Sequence, residues 1–72
     1  MNTESIVLRM TAIEADSVAH VLMASLHQPN FMLERERGHT TTAANVLFKL
    51  LGYGYSTDSQ GNRVEDKKPA NA

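Results

Sequence analysis

The side chains in this sequence that could do chemistry are three histidines, a paired set of glutamates and a scatter of serines and threonines. His20 and His27 stand seven residues apart, two turns of a helix. Two ligands on one helix reach the same metal ion when three or four residues separate them. Seven is too long without a third donor between them. The spacing predicts two solvent-facing or interface histidines, with a weak intersubunit metal site as the alternative. Glu34 and Glu36 resemble a carboxylate pair, but Arg35 and Arg37 interleave with them. General acid–base work needs a shielded site that separates the two pKa values, and so short a chain can hardly enclose one. Alternating charge in such a run predicts a solvated face. Ser5, Ser17, Ser25, Ser56 and Ser59 lie in no nucleophile elbow, and no glycine loop of the phosphate-cradling kind is present. No catalytic residue, cofactor or metal is expected, and the chain reads as a non-enzyme.

Size and composition narrow the class. Seventy-two residues suffice for one domain. Domains of this size usually need a disulfide, a metal or a partner chain to exceed about 3–5 kcal/mol of stability. The chain has no cysteine, which leaves oligomerisation. A cysteine-free chain also suits a reducing cytoplasm. The first residues, Met1-Asn2-Thr3-Glu4, are acidic rather than basic, and the apolar run Ile6-Val7-Leu8 stops at Arg9, so no secretory signal is expected. No stretch approaches the roughly 20 apolar residues of a membrane span. The net charge is −1, whereas dedicated nucleic-acid binders are usually basic.

Three elements are expected to position these side chains. In residues 5–11, Ile6, Leu8 and Met10 share one face of an extended chain, and Ser5, Val7, Arg9 and Thr11 share the other. This pattern predicts a short half-buried strand, with helix as the alternative. Thr11-Ala12-Ile13-Glu14 is a capping box. After it, Ala12, Ala15, Val18, Ala19, Leu22 and Leu26 recur at helical spacing, predicting a helix from about Ala12 to His27, ended by Pro29. Residues 28–39 read as a loop or a short helix broken at Gly38. Thr40, Thr41 and Thr42 offer caps for a second helix from about Thr41 to Leu51, closed by Gly52. From about residue 57 the composition turns polar, and a flexible tail is expected, with a small hairpin around Asp58–Asn62 as the alternative. The expected fold is mainly α with one short N-terminal β-strand. It comprises a strand-helix-helix domain over residues 1–56, an obligate homodimer, and a flexible tail over 57–72.

Two apolar patches are candidates for contact with a protein. Phe31, Met32 and Leu33 form one. Tyr53 and Tyr55, in the stretch Gly52-Tyr53-Gly54-Tyr55, form the other, since tyrosine is enriched at interface hot spots. Core packing is the plainer use of both.

The order strand, capping box, helix, connection, helix resembles the ribbon-helix-helix (Arc/MetJ-type) family of DNA-binding dimers. Ile6-Val7-Leu8-Arg9-Met10-Thr11, Glu14, Val18 and Leu22 carry the resemblance, which covers residues 5–27 and more loosely 40–51. It implies that two chains pair their strands into a ribbon that enters the major groove. Ser5, Val7 and Arg9 would then face DNA, with Arg9 suited to guanine or phosphate. Thr40, Thr41 and Thr42 would sit where the family's second helix holds a phosphate. Two functions are therefore expected. The first is a small regulator, an inhibitor or adaptor, that binds a protein partner as a homodimer. The alternative is a repressor that binds DNA through the N-terminal strand.

Overall fold

Thr11 starts the first helix as its spacing to Glu14 implies. Its hydroxyl accepts from the Glu14 N–H (3.1 Å), and the Glu14 carboxylate accepts from the Thr11 N–H (2.9 Å). Helix α1 spans Ala12–Ser25. In the computed structural model, which describes residues 5–28, 30 and 32–66, a second helix, α2, spans Glu34–Leu51. Two short strands follow, β1 Tyr55–Thr57 and β2 Arg63–Glu65. They pair antiparallel, with Tyr55 opposite Glu65 and Thr57 opposite Arg63. The two helices pack on each other, and β1 packs on α2.

Helix α2 begins seven residues before the expected start at Thr41. Glu36 explains the difference, because its carboxylate reaches back to the Leu33 N–H (2.8 Å) and satisfies an orphan donor. Glu34 and Glu36 also place negative charge at the positive end of the helix. Gly38 is tolerated within the helix, at a cost of about 1 kcal/mol relative to alanine. The threonines cap nothing. The hydroxyls of Thr40, Thr41 and Thr42 donate back to the carbonyls of Glu36, Arg37 and Gly38, at 2.8, 2.7 and 3.0 Å. The C-terminus ends as the sequence implies, on Gly52 in the left-handed region with φ +83°.

Among the described residues the expected N-terminal strand is absent, and the strands lie after the helices instead. Residues 5–10 belong to no regular element, and Ile6 is 92% exposed rather than buried. A strand requires a neighbour to take up its N–H and C=O groups. Among the described residues, none offers backbone pairing to this segment. β1 and β2 instead satisfy each other.

Residues 57–65 complete a hairpin, the alternative expected near Asp58–Asn62, and the rest of the expected tail, residues 67–72, lies outside the described residues. Polar chemistry, rather than apolar burial, orders its turn. The Asp58 carboxylate accepts from the N–H groups of Gln60 and Asn62, 2.9 Å each. The Asn62 backbone contact leads in holding this carboxyl below its ordinary value, despite some desolvation. Gly61, at φ +83°, closes the turn. The Asn45 carboxamide fixes the far edge of β1, donating to the Thr57 carbonyl (3.0 Å) and accepting from its N–H (2.8 Å). Arg37 ties the pieces together. Its guanidinium donates to the carbonyls of Ser59 (2.9 Å) and Leu26, joining α2 to the hairpin turn and to the end of α1.

The core lies between these elements. Ala19 of α1 meets Ala44 and Phe48 of α2, and Leu22, Met23, Leu47, Tyr53 and Tyr55 pack around them. The two alanines let the helices approach closely, and Phe48 fills the remaining space.

Gly61 and Gly52 share the same φ but not the same surroundings. A Cβ on Gly61 would lie 3.0 Å from the Met23 carbonyl oxygen, whereas one on Gly52 would meet open space. Gly52→Ala should therefore cost only the left-handed strain, about 1–2 kcal/mol. Gly61→Ala should cost clearly more, because the turn must also lift off α1. Urea denaturation of both variants checks this, and equal losses would contradict the close packing of the turn.

Candidate functional site

The most polar cluster near the core is built on one turn of α1. Asp16 and His20 are four residues apart and share a side of the helix. The His20 Nδ1 donates to the Asp16 carbonyl oxygen (2.8 Å) and stands 3.4 Å from its carboxylate. Tyr53, just beyond the α2 cap, donates its hydroxyl to the same carboxylate. Ring stacking completes the cluster. His20 meets Phe48 and Tyr53 edge-on, with centroids 5.5 and 5.8 Å apart. Tyr55 lies 5.2 Å from both Phe48 and Tyr53, and the Arg63 guanidinium sits 4.0 Å above its ring.

This arrangement ties α1 to the segment that follows α2. The Asp16 carboxylate accepts the tyrosine proton donor and holds the Tyr53 phenol above its ordinary pKa, chiefly through that hydrogen bond. Among the described residues, no group of three or more His, Cys, Asp or Glu side chains converges as a metal site would require.

The side chains singled out in the sequence are dispersed. Tyr53 and Tyr55 are half-buried in the aromatic cluster and cover Phe48. Met32 is half-buried, with the Thr40 hydroxyl 3.5 Å from its sulfur. Leu33 is exposed at the start of α2, and Phe31 lies outside the described residues. Ser5, Val7 and Arg9 are exposed on the N-terminal segment. Thr40 and Thr41 lie in the second and third turns of α2, with hydroxyls already bonded, so they are not at the helix start. Arg37 is committed to backbone carbonyls of its own fold.

A different surface stands out. Among the described residues, eleven large apolar side chains are exposed, whereas only two, Leu26 and Phe48, are buried, beside Ala19 and Ala44. The exposed set is largely contiguous. Ile6, Leu8 and Met10 face Val46 and Leu50 across a groove of about 540 Å³. Ala12 and Ala15, from the first turns of α1, also line it. On the other side, Leu8 and Met10 join Ile13 and Val18 around a second hollow of about 510 Å³. The band thus runs from the end of α2, across the N-terminal segment, onto α1. Ile6, Leu8 and Met10 were legible as one apolar face. Ile13 and Val21 were missed because they fall outside the stripe that packs on α2. The missed signal was that α1 carries large apolar residues on its open side as well as on its packed side.

No protein-family model matches the chain, and neither a curated protein nor a solved structure matches it. Among the described residues, no helix is long and apolar enough to cross a membrane.

Tyr53 supplies a test of the cluster. Its folded pKa is raised, so the bond to Asp16 stabilises the fold below the ordinary tyrosine value of 10.0. That contribution is lost as pH rises through the higher folded value. In an ultraviolet titration Tyr53 should ionise later than a free tyrosine, and Asp16→Ala should remove most of the delay, since the Asp16 bond is its leading cause. An unchanged titration in Asp16→Ala would sink the assignment.

Proposed function

We propose that this chain is a small, non-enzymatic regulatory protein of the inhibitor or adaptor type, which binds a protein partner as a homodimer in the cytoplasm. The observation that supports this reading is the continuous apolar band over the N-terminal segment, α1 and the end of α2. Fully burying a Leu, Ile or Val side chain is worth about 1.5–3 kcal/mol, so leaving so many in water is costly beside so small a core. A protein surface is the natural cover, because the band carries few charges. Interface cores are likewise depleted of charge.

The DNA reading has less behind it. The net charge is −1, and Arg37 is engaged within the fold. Exposed Arg9 is the one cation of the expected reading face, Ser5, Val7 and Arg9.

Light scattering at low and high salt, with and without random duplex DNA, tests the proposal. The expected species has twice the 7.9 kDa mass of one chain and does not gain mass with DNA. Leu50→Glu should reduce the fluorescence of a hydrophobic dye bound to the protein, since Leu50 is 79% exposed on the wall of the groove. A monomer that binds no dye would contradict the proposal. Mass gained with DNA at low salt and lost at high salt would replace it with the nucleic-acid reading.

A further inference from the structure

We propose that residues 5–10 form a strap, hinged at Thr11, that folds over this chain's own groove between α1 and α2 and must lift before a partner can dock there. This rests on the partner-binding reading above and supplies its regulation.

The hinge is fixed and the strap is not. Thr11 is held as the cap of α1 through its hydroxyl, its N–H and its carbonyl, which accepts from the Ala15 N–H (3.0 Å). Among the described residues, no hydrogen bond restrains residues 5–10. The segment can therefore swing about Thr11 without breaking one. Its exposure falls towards the hinge, from 92% at Ile6 to 71% at Leu8 and 39% at Met10. A segment anchored at one end and lifted at the other gives this gradient.

The strap also matches the groove. In an extended chain Ile6, Leu8 and Met10 share one face, and all three line the groove opposite Val46 and Leu50. Ile6 and Leu8 are then about 6.6 Å apart. Val46 and Leu50, one turn apart on α2, are separated by about 6 Å along its axis. Ala12 and Ala15 line the same groove, and their small side chains leave room for larger ones. Arg9 alternates to the other face of the strap, so closure buries no charge. There it borders the neighbouring hollow together with Glu14, an opposite charge on α1.

Attachment selects this occupant over any other apolar surface. Thr11 itself lines the groove, so the hinge stands at its edge. A segment on so short a tether meets its site at an effective concentration of about millimolar. A second copy or another protein must outcompete it, and must also give up its own translational freedom.

The chain has no tryptophan, so Ile6→Trp places a single reporter on the strap. Its emission should lie to the blue of free tryptophan, with several-fold weaker quenching by acrylamide. Both should persist on dilution to concentrations where light scattering shows a monomer. Val46→Glu, exposed on the groove wall, should move the same reporter's emission to the red while circular dichroism stays helical. In the otherwise native chain, Ile6→Ser combined with Leu8→Ser should raise the fluorescence of a hydrophobic dye, because the groove loses its cover. A permanently open surface would instead lose dye fluorescence with two apolar side chains, and that fall would overturn the strap. So would the emission of a fully exposed indole at every concentration. Shielding confined to concentrations at which the chain is dimeric would assign the groove to a second copy, so the strap fails and the homodimer stands. Shielding in a chain that is monomeric throughout supports the strap and overturns the homodimer reading.

Discussion

Phe48 is the constraint on which the rest of the structure depends. It is fully buried, and parts from both helices and the hairpin close around it. Ala19 and Ala44 are small, so the helices come close enough to grip the ring. His20 and Tyr53 meet it edge-on, and Tyr55 tilts against it. Each of these side chains is held in turn. Asp16 fixes His20 and Tyr53, Arg63 lies over Tyr55, and Asn45 pins the strand that carries Tyr55. One aromatic ring thereby organises residues from α1 to β2.

A core gathered around one ring is small. Polar ties hold what apolar burial does not, notably Arg37 on the Ser59 and Leu26 carbonyls and Asp58 on its turn. These contacts determine where elements sit, but hydrogen bonds exchanged with water contribute only about 0.5–1.5 kcal/mol each. Apolar surface left outside the core is then the chain's largest unused source of stability. Its continuity from α2 across residues 6–10 to α1 suits a single covering surface better than scattered exposure would. The account of function follows from that imbalance rather than from any reactive group.

Much of the helical framework was legible in the residues. The Thr11–Glu14 box and the Gly52 cap rest on local chemistry, and local chemistry can be read from sequence. The start of α2 was obscured because Gly38 resembles a stop and three threonines resemble caps. Both are overruled by Glu36 at the front of the helix and by the tertiary anchor on Arg37. The strand expected at residues 5–11 had a valid alternation, but alternation does not supply a neighbouring strand. The hairpin was legible only as the alternative to a tail, since its order comes from Asp58, Gly61 and Asn45 and not from apolar content. The candidate surface was half visible. Ile6, Leu8 and Met10 share a face in any extended chain, whereas their opposition to Val46 and Leu50 requires the helices to be in place.

The central claim is that the fold depends on covering its apolar band with a second chain. The most direct measurement is the urea midpoint of unfolding over a hundredfold range of protein concentration. Coupled folding and dimerisation predict a midpoint that rises steadily with concentration, by mass action. A midpoint independent of concentration would mean that the Phe48 core stands alone, and it would contradict the account.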